Sequence, residues 1–200
     1  MHFDRISPSA VRSVRQQDFL KVWLRLYSQT GQLPVLSTFE PSRFDNEKPE
    51  LMIYDVVHKD SDIRYPATFA GDRLIEAYGF SAVGHDLQDI LSPMVWKHVE
   101  PLYDTCVTRG MPVYSAFTVT DLAGSAVTYE RLLLPFGENG VVQQMMASIK
   151  SISEDGRFVN SLLMRPSGHD PQYSIRGIVD HDAPPLQPAQ ASNADDVIEI

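Results

Sequence analysis

Chemistry in this chain would have to come from a few residues. Six histidines, His2, His58, His85, His98, His169 and His181, are scattered so that none stands three or four residues from another, which removes the two-histidine helix face of a zinc site. The lone cysteine, Cys106, excludes an intrachain disulfide and a cysteine-based metal centre. GDRLIEAYG (71–79) has neither Walker nor dinucleotide spacing, and SAVGHD (81–86) is a loop without a nucleophile elbow or a Ser–His–Asp order around it. A charged pair in an apolar run is more informative: Glu130 and Arg131 within TYERLLLPF (128–136). Successive strand residues face opposite ways, so only one of the two can look toward helices. Arg131 there could anchor an anionic ligand; alternatively the pair lies on a sheet face covered by the N-terminal helix, matched by neighbouring charges. Phe69, Tyr78 and Trp96 could line a cavity between helices and sheet, or be ordinary core. Acid–base candidates reduce to Asp104 with Tyr103, and Tyr129 with a nearby carboxylate, at spacings that compel no catalysis.

These residues need elements to position them. Phe19, Val22, Trp23, Leu26 and Tyr27 recur at helical spacing and predict an amphipathic helix over roughly 10–28, ended by Gly31 and Pro34. Arg12, Arg15, Gln16, Lys21 and Arg25 form its solvated side. The apolar stripe either covers its own domain's core or packs against a second copy, with Phe19, Val22, Trp23 and Leu26 as the dimer candidates. Residues 51–70 read as a hairpin around the polar turn HKDSD. Asp72 is placed to cap a short helix, 73–78, whose Leu74, Ile75 and Tyr78 face inward and which Gly79 ends. Another helical turn follows near 86–90. A longer helix, about 93–109, starts at Ser92 and Pro93, with Pro101 expected to kink or split it. Alternation over 112–121, a turn at LAGS (122–125), and strands 126–136 and 141–153 around ENG complete a sheet.

The bulk numbers fit this. With 200 residues, 43% hydrophobic and 22% charged, the chain can bury a sizeable core. A net charge of −9 disfavours nucleic-acid and anionic-membrane partners. The first residues lack a secretory apolar core and no run is long enough to span a bilayer, so a cytoplasmic protein without membrane insertion is expected. Residues 166–200 place six acids against Arg176 alone. Such a segment buries too little apolar surface to offset its ordering entropy, so it is expected to be disordered. The division is therefore 1–36 for the helix and linker, 37–153 for the domain, and 154–200 for a mostly disordered tail. Within that tail, 154–165 could still form a terminal helix, and DDVIEI (195–200) could add to a partner's sheet edge.

Laid out this way, the chain resembles the PAS superfamily, more narrowly its short single-PAS proteins of the alphaproteobacterial type. The resemblance rests on LRLYSQTGQLP (24–34), RYPATFAGDRLIEAYGFSAVGHDL (64–87) and YERLLLPFGENGVVQQMMASI (129–149), and covers roughly 20–153. It implies an α+β fold: a five-stranded antiparallel sheet with short helices inserted after the second strand, often with an N-terminal helix that dimerises. It also implies bacterial signal transduction, through a homodimer or another signalling protein, and leaves the ligand and cofactor unassigned. A PAS-type haem could use His98, but that histidine does not share the Val95/Val99/Leu102 stripe. Flavin adduct sensors set their cysteine between Asn and Arg, whereas Thr105 and Val107 flank Cys106, so core packing is the expectation. The resulting reading is a non-enzymatic sensor or adaptor, gated by a small ligand if its core has room for one. Its competitors are a small cone-shaped α+β enzyme of the isomerase or hydratase kind and a ligand-free scaffold.

Overall fold

A computed structural model describes residues 3–39, 41–59, 62–120, 126–153 and 170–184. The LAGS turn, the helix expected over 154–165, the DDVIEI end and part of the HKDSD turn lie outside these residues.

Among the described residues, nine strands and four α-helices follow in order: β1 (Asp4–Ile6), α1 (Val14–Thr30), β2 (Leu51–Asp55), β3 (Val57–Lys59), β4 (Asp62–Arg64), β5 (Ala67–Ala70), α2 (Asp72–Tyr78), α3 (Leu87–Ile90), α4 (Pro93–Arg109), β6 (Val113–Thr120), β7 (Ala126–Glu138), β8 (Val141–Ser153) and β9 (Gln172–Val179). Seven of the strands form one sheet in the order β1-β9-β6-β7-β8-β2-β5, and β3 and β4 make a separate small ribbon inside the expected 51–70 hairpin. The five strands β6-β7-β8-β2-β5 are all antiparallel neighbours. Their chain order, two strands, helices, then three strands, is the one the residue pattern predicted. β7 and β8 are joined by Asn139 and Gly140, both at positive φ (54° and 76°), the conformation a two-residue hairpin loop requires.

The sheet is wider than expected. β9 comes from the segment read as disordered, pairs antiparallel with β6, and is itself paired in parallel with β1. Composition averaged over 166–200 concealed it. A strand near the rim of a sheet needs few apolar residues, here Tyr173, Ile175, Ile178 and Val179, because the backbone of β6 supplies its hydrogen bonds. Gly177 admits β1, since a Cβ there would stand 2.7 Å from the Asp4 carbonyl oxygen.

Helices α2 to α4 lie on one face of the sheet, the inner face. α1 lies on the other, starting later than the periodicity suggested because Pro8–Ala10 forms a 3-10 turn ahead of it. The Ser13 hydroxyl caps it, accepting from Gln16 N–H. Its buried stripe is Gln16, Phe19, Leu20 and Trp23, so Gln16 moves from the expected solvated side to full burial. The Gln16 amide donates to the carbonyls of Ser148 (3.0 Å) and Glu130 (3.3 Å); a helix crossing a sheet can bury an amide that pairs with strand carbonyls. Gly71, not Asp72, occupies the cap position of α2, with no side-chain cap bond. α4 starts as predicted, the Ser92 hydroxyl accepting from Val95 N–H. It remains one helix through Pro101, which costs it a backbone hydrogen bond without dividing it.

Candidate functional site

Alternation along β7 sorts the charged pair. Glu130 stands opposite Ala116 and Lys150, Arg131 opposite Ser115 and Ile149. Glu130 faces α1, is fully buried, and accepts from the backbone N–H of Ser13 at 3.1 Å. Lys150 beside it reaches elsewhere: it pairs with both Glu47 and Glu50, which Arg15 and Arg73 also engage. This clasp fixes the 3-10 segment Pro41–Glu50 to the sheet. Glu130 thus lies under α1 as one alternative expected, but it meets a backbone N–H and not a neighbouring charge, and Arg131 faces the other way.

Arg131 points into the space between the sheet and α4. It is 5% exposed, and its guanidinium carbon lies 5.6 Å from the Phe117 ring centroid and 6.0 Å from that of Tyr103. Its Nε and Nη1 find no hydrogen-bond partner, nor do the hydroxyls of Ser115 and Ser151. Ser115 is directly across β6 from Arg131, and Ser151 is opposite Tyr129 on β8, so all three side chains sit on the same inner face. Burial leaves polar groups satisfied almost everywhere in folded proteins; of seven buried side-chain atoms without a partner among the described residues, four lie here, the others being the Oε1 atoms of Gln16, Glu130 and Gln88.

The surrounding phenols are neutral donors. Burial pushes Tyr78 up to about 12, helped by Tyr103 and opposed by Arg131. Burial also raises Tyr103, against the pull of Arg131 and of its bond to Tyr54, and raises Tyr54 well above its ordinary value. Tyr54 and Tyr65 meet Tyr103 edge-on, with centroids 5.6 and 5.3 Å away, and Trp96 tilts against Tyr65 at 6.3 Å. The structure therefore brings Tyr78 and Arg131 beside Tyr103, with Trp96 one ring further out against Tyr65. Phe69 is separate. It pairs with Ile53 on the outer face and lines a cavity of about 520 Å³ with Phe19, Phe39, Leu51, Met146 and Lys48.

Phe19 and Trp23, two of the four dimer candidates, are wholly buried within the chain; Val22 and Leu26 are half-buried against it. The acid–base candidates part company. Tyr103 faces the core, while Asp104 accepts a 2.6 Å bond from the Tyr65 hydroxyl, and burial raises the Asp104 carboxyl against that bond's lowering effect. His98 meets Asp170 at 3.0 Å. Cys106 is fully buried, and burial pushes its thiol up. Among the described residues no cluster of three metal-ligating side chains occurs and no helix is long and apolar enough to cross a membrane.

Sequence reading missed Ser115, Ser151, Tyr54 and Phe117 as members of this interior. Period-2 alternation assigns each to one of two faces, but which face meets which neighbour depends on strand register, and the sequence of one strand does not contain its partner's register.

No protein-family model and no curated protein matches the sequence. Solved structures similar to it include a variant of RsLOV, at 16% identity over 63% of this chain and 72% of that one, with a TM-score of 0.42. Others are the PAS domain from the fruit-fly ELK potassium channel, at 14% identity, 60% and 99% coverage and TM-score 0.41, and the PAS domain of a protein from Colwellia psychrerythraea, at 15%, 60% and 98%, and 0.38. The strand order read from the sheet itself makes the fold PAS-like α+β: a sheet of mixed pairing with a few helices inserted after its second core strand.

Proposed function

We propose that this protein is a PAS-type sensor or adaptor, cytoplasmic and non-enzymatic, that takes a small molecule into its interior and reports the event to a second copy or another signalling protein. One observation carries the proposal: the contact region between sheet and α4 is built of aromatic rings yet holds hydrogen-bonding side chains with no partner in the protein. A core that served packing alone would place apolar groups there, because an unpaired buried polar group costs about 1–3 kcal/mol.

A route to the surface supports the reading. Tyr173 of β9 lies against Phe117 with ring centroids 5.5 Å apart, and its hydroxyl donates to the His98 carbonyl of α4 at 3.1 Å. Phe117 in turn borders Arg131. A ligand that prefers one arrangement of this group shifts the population of β9 docking by no more than its differential affinity. Native mass spectrometry of the full chain, followed by identification of released small molecules, tests the proposal. A bound molecule near stoichiometric yield is expected; a bare mass whose oligomeric state and partners ignore added metabolites would overturn it.

A further inference from the structure

The proposed sensor interior specifies the charge of what it takes, an inference that rests on that sensor reading. We infer that Arg131, Ser115 and Ser151 form a receptor for a carboxylate carried on a flat apolar body. The three side chains project from adjacent strands β6, β7 and β8 onto one face. Arg131 and Ser115 are 5% and 1% exposed, and two guanidinium nitrogens and both hydroxyls have no protein partner. A guanidinium taken out of water is strongly disfavoured without a counter-charge. The neutral Tyr103 and Tyr78 beside it provide none, although they can donate further hydrogen bonds. Aromatic faces at 5.6 and 6.0 Å partly offset its charge and leave its edge free to bond. Nitrogen donors and hydroxyls together suit an oxyanion. One buried cation balances one negative charge, which selects a carboxylate over a doubly charged phosphate, and the rings of Phe117 and Tyr103 favour a planar body beyond it.

Calorimetric titration of the full chain with benzoate, its neutral isostere benzamide, and inorganic phosphate tests the assignment. Benzoate is expected to bind, with benzamide and phosphate each at least about 10-fold weaker. Ser115→Ala with Ser151→Ala should weaken benzoate about 10-fold or more, and Arg131→Met should abolish it. Arg131→Met replaces an uncompensated buried cation with an apolar chain of similar length, so it is expected to keep its circular dichroism spectrum and melt no lower than the parent. Should that variant fail to fold, the Arg131 Nε–H resonance of the parent, expected to shift on adding benzoate and not benzamide, reads the same contact. A carboxylate recovered by extraction in Arg131-dependent yield also supports the assignment. Benzamide binding as tightly as benzoate, unchanged benzoate affinity in Arg131→Met, or an interior holding water only would overturn it. A neutral molecule recovered instead sinks the carboxylate receptor while leaving the sensor reading standing; a bare interior removes both.

Discussion

Replacing Trp23 by Phe asks whether α1 belongs to its own sheet. Trp23 is wholly buried, stacks on Tyr27 at 5.1 Å, and donates its indole N–H to the Pro135 carbonyl at 2.7 Å. Phenylalanine keeps one ring and loses the donor. The stranded carbonyl costs about 1–2 kcal/mol, and the space left by the second ring adds about 1 kcal/mol. A total near 2–3 kcal/mol corresponds to a melting temperature lowered by roughly 5–10 °C in a chain of this size. Urea unfolding followed by circular dichroism, with fluorescence reporting Trp96, the other of the two tryptophans, measures it. Repeating the curves at about tenfold different protein concentration separates the two homes the sequence allowed for this helix. Docking within the chain predicts one midpoint at both concentrations. A loss below about 0.5 kcal/mol, the level of an ordinary surface change, or a midpoint that moves with concentration, would refute the intrachain anchor.

Lys150→Met leaves Glu47 and Glu50 mostly buried with only Arg15 and Arg73 to face them; denaturant curves should show a loss of about 2–4 kcal/mol, part of it recovered by adding Glu50→Gln. Asp104→Asn retains an acceptor for the Tyr65 hydroxyl and removes a carboxyl whose titration burial has raised. A raised acid binds its proton more tightly folded than unfolded, so its contribution to stability falls as pH climbs from the unfolded value through the folded one. The variant should flatten that part of the stability profile, and an unchanged slope would contradict the assignment. Cys106, buried and with its thiol raised, should react with a disulfide reagent only as fast as the protein opens; labelling at the rate of the unfolded chain would show that α4 is not packed as described.

Local signals were legible and long-range ones were not. Ser92 and Pro93 announced α4, Asn139 and Gly140 the β7–β8 hairpin, and Gly31 the end of α1, because each depends on backbone preferences within a few residues. Arg131 stood out as a charge inside an apolar strand, but its companions did not. Ser115 and Ser151 read as ordinary strand serines until register put them on the face of Arg131. Phe69 lines a cavity beside Phe19 of α1 and not the interior of Tyr78 and Trp96, a separation that register decides. Gln16 looked solvated since its partners, the carbonyls of Glu130 and Ser148, lie more than a hundred residues away in the chain. β9 vanished into the acidic composition around it, being specified by the free edge of β6 more than by its own residues.

The proposed receptor between the sheet and α4 differs from a finished core in holding a molecule of its own. A high-resolution experimental density map of natively purified protein tests it most directly. A receptor would show density for a non-protein molecule joining the Arg131 guanidinium to the hydroxyls of Ser115 and Ser151. Closely packed side chains there, with the guanidinium hydrogen-bonded to protein oxygens, would contradict it.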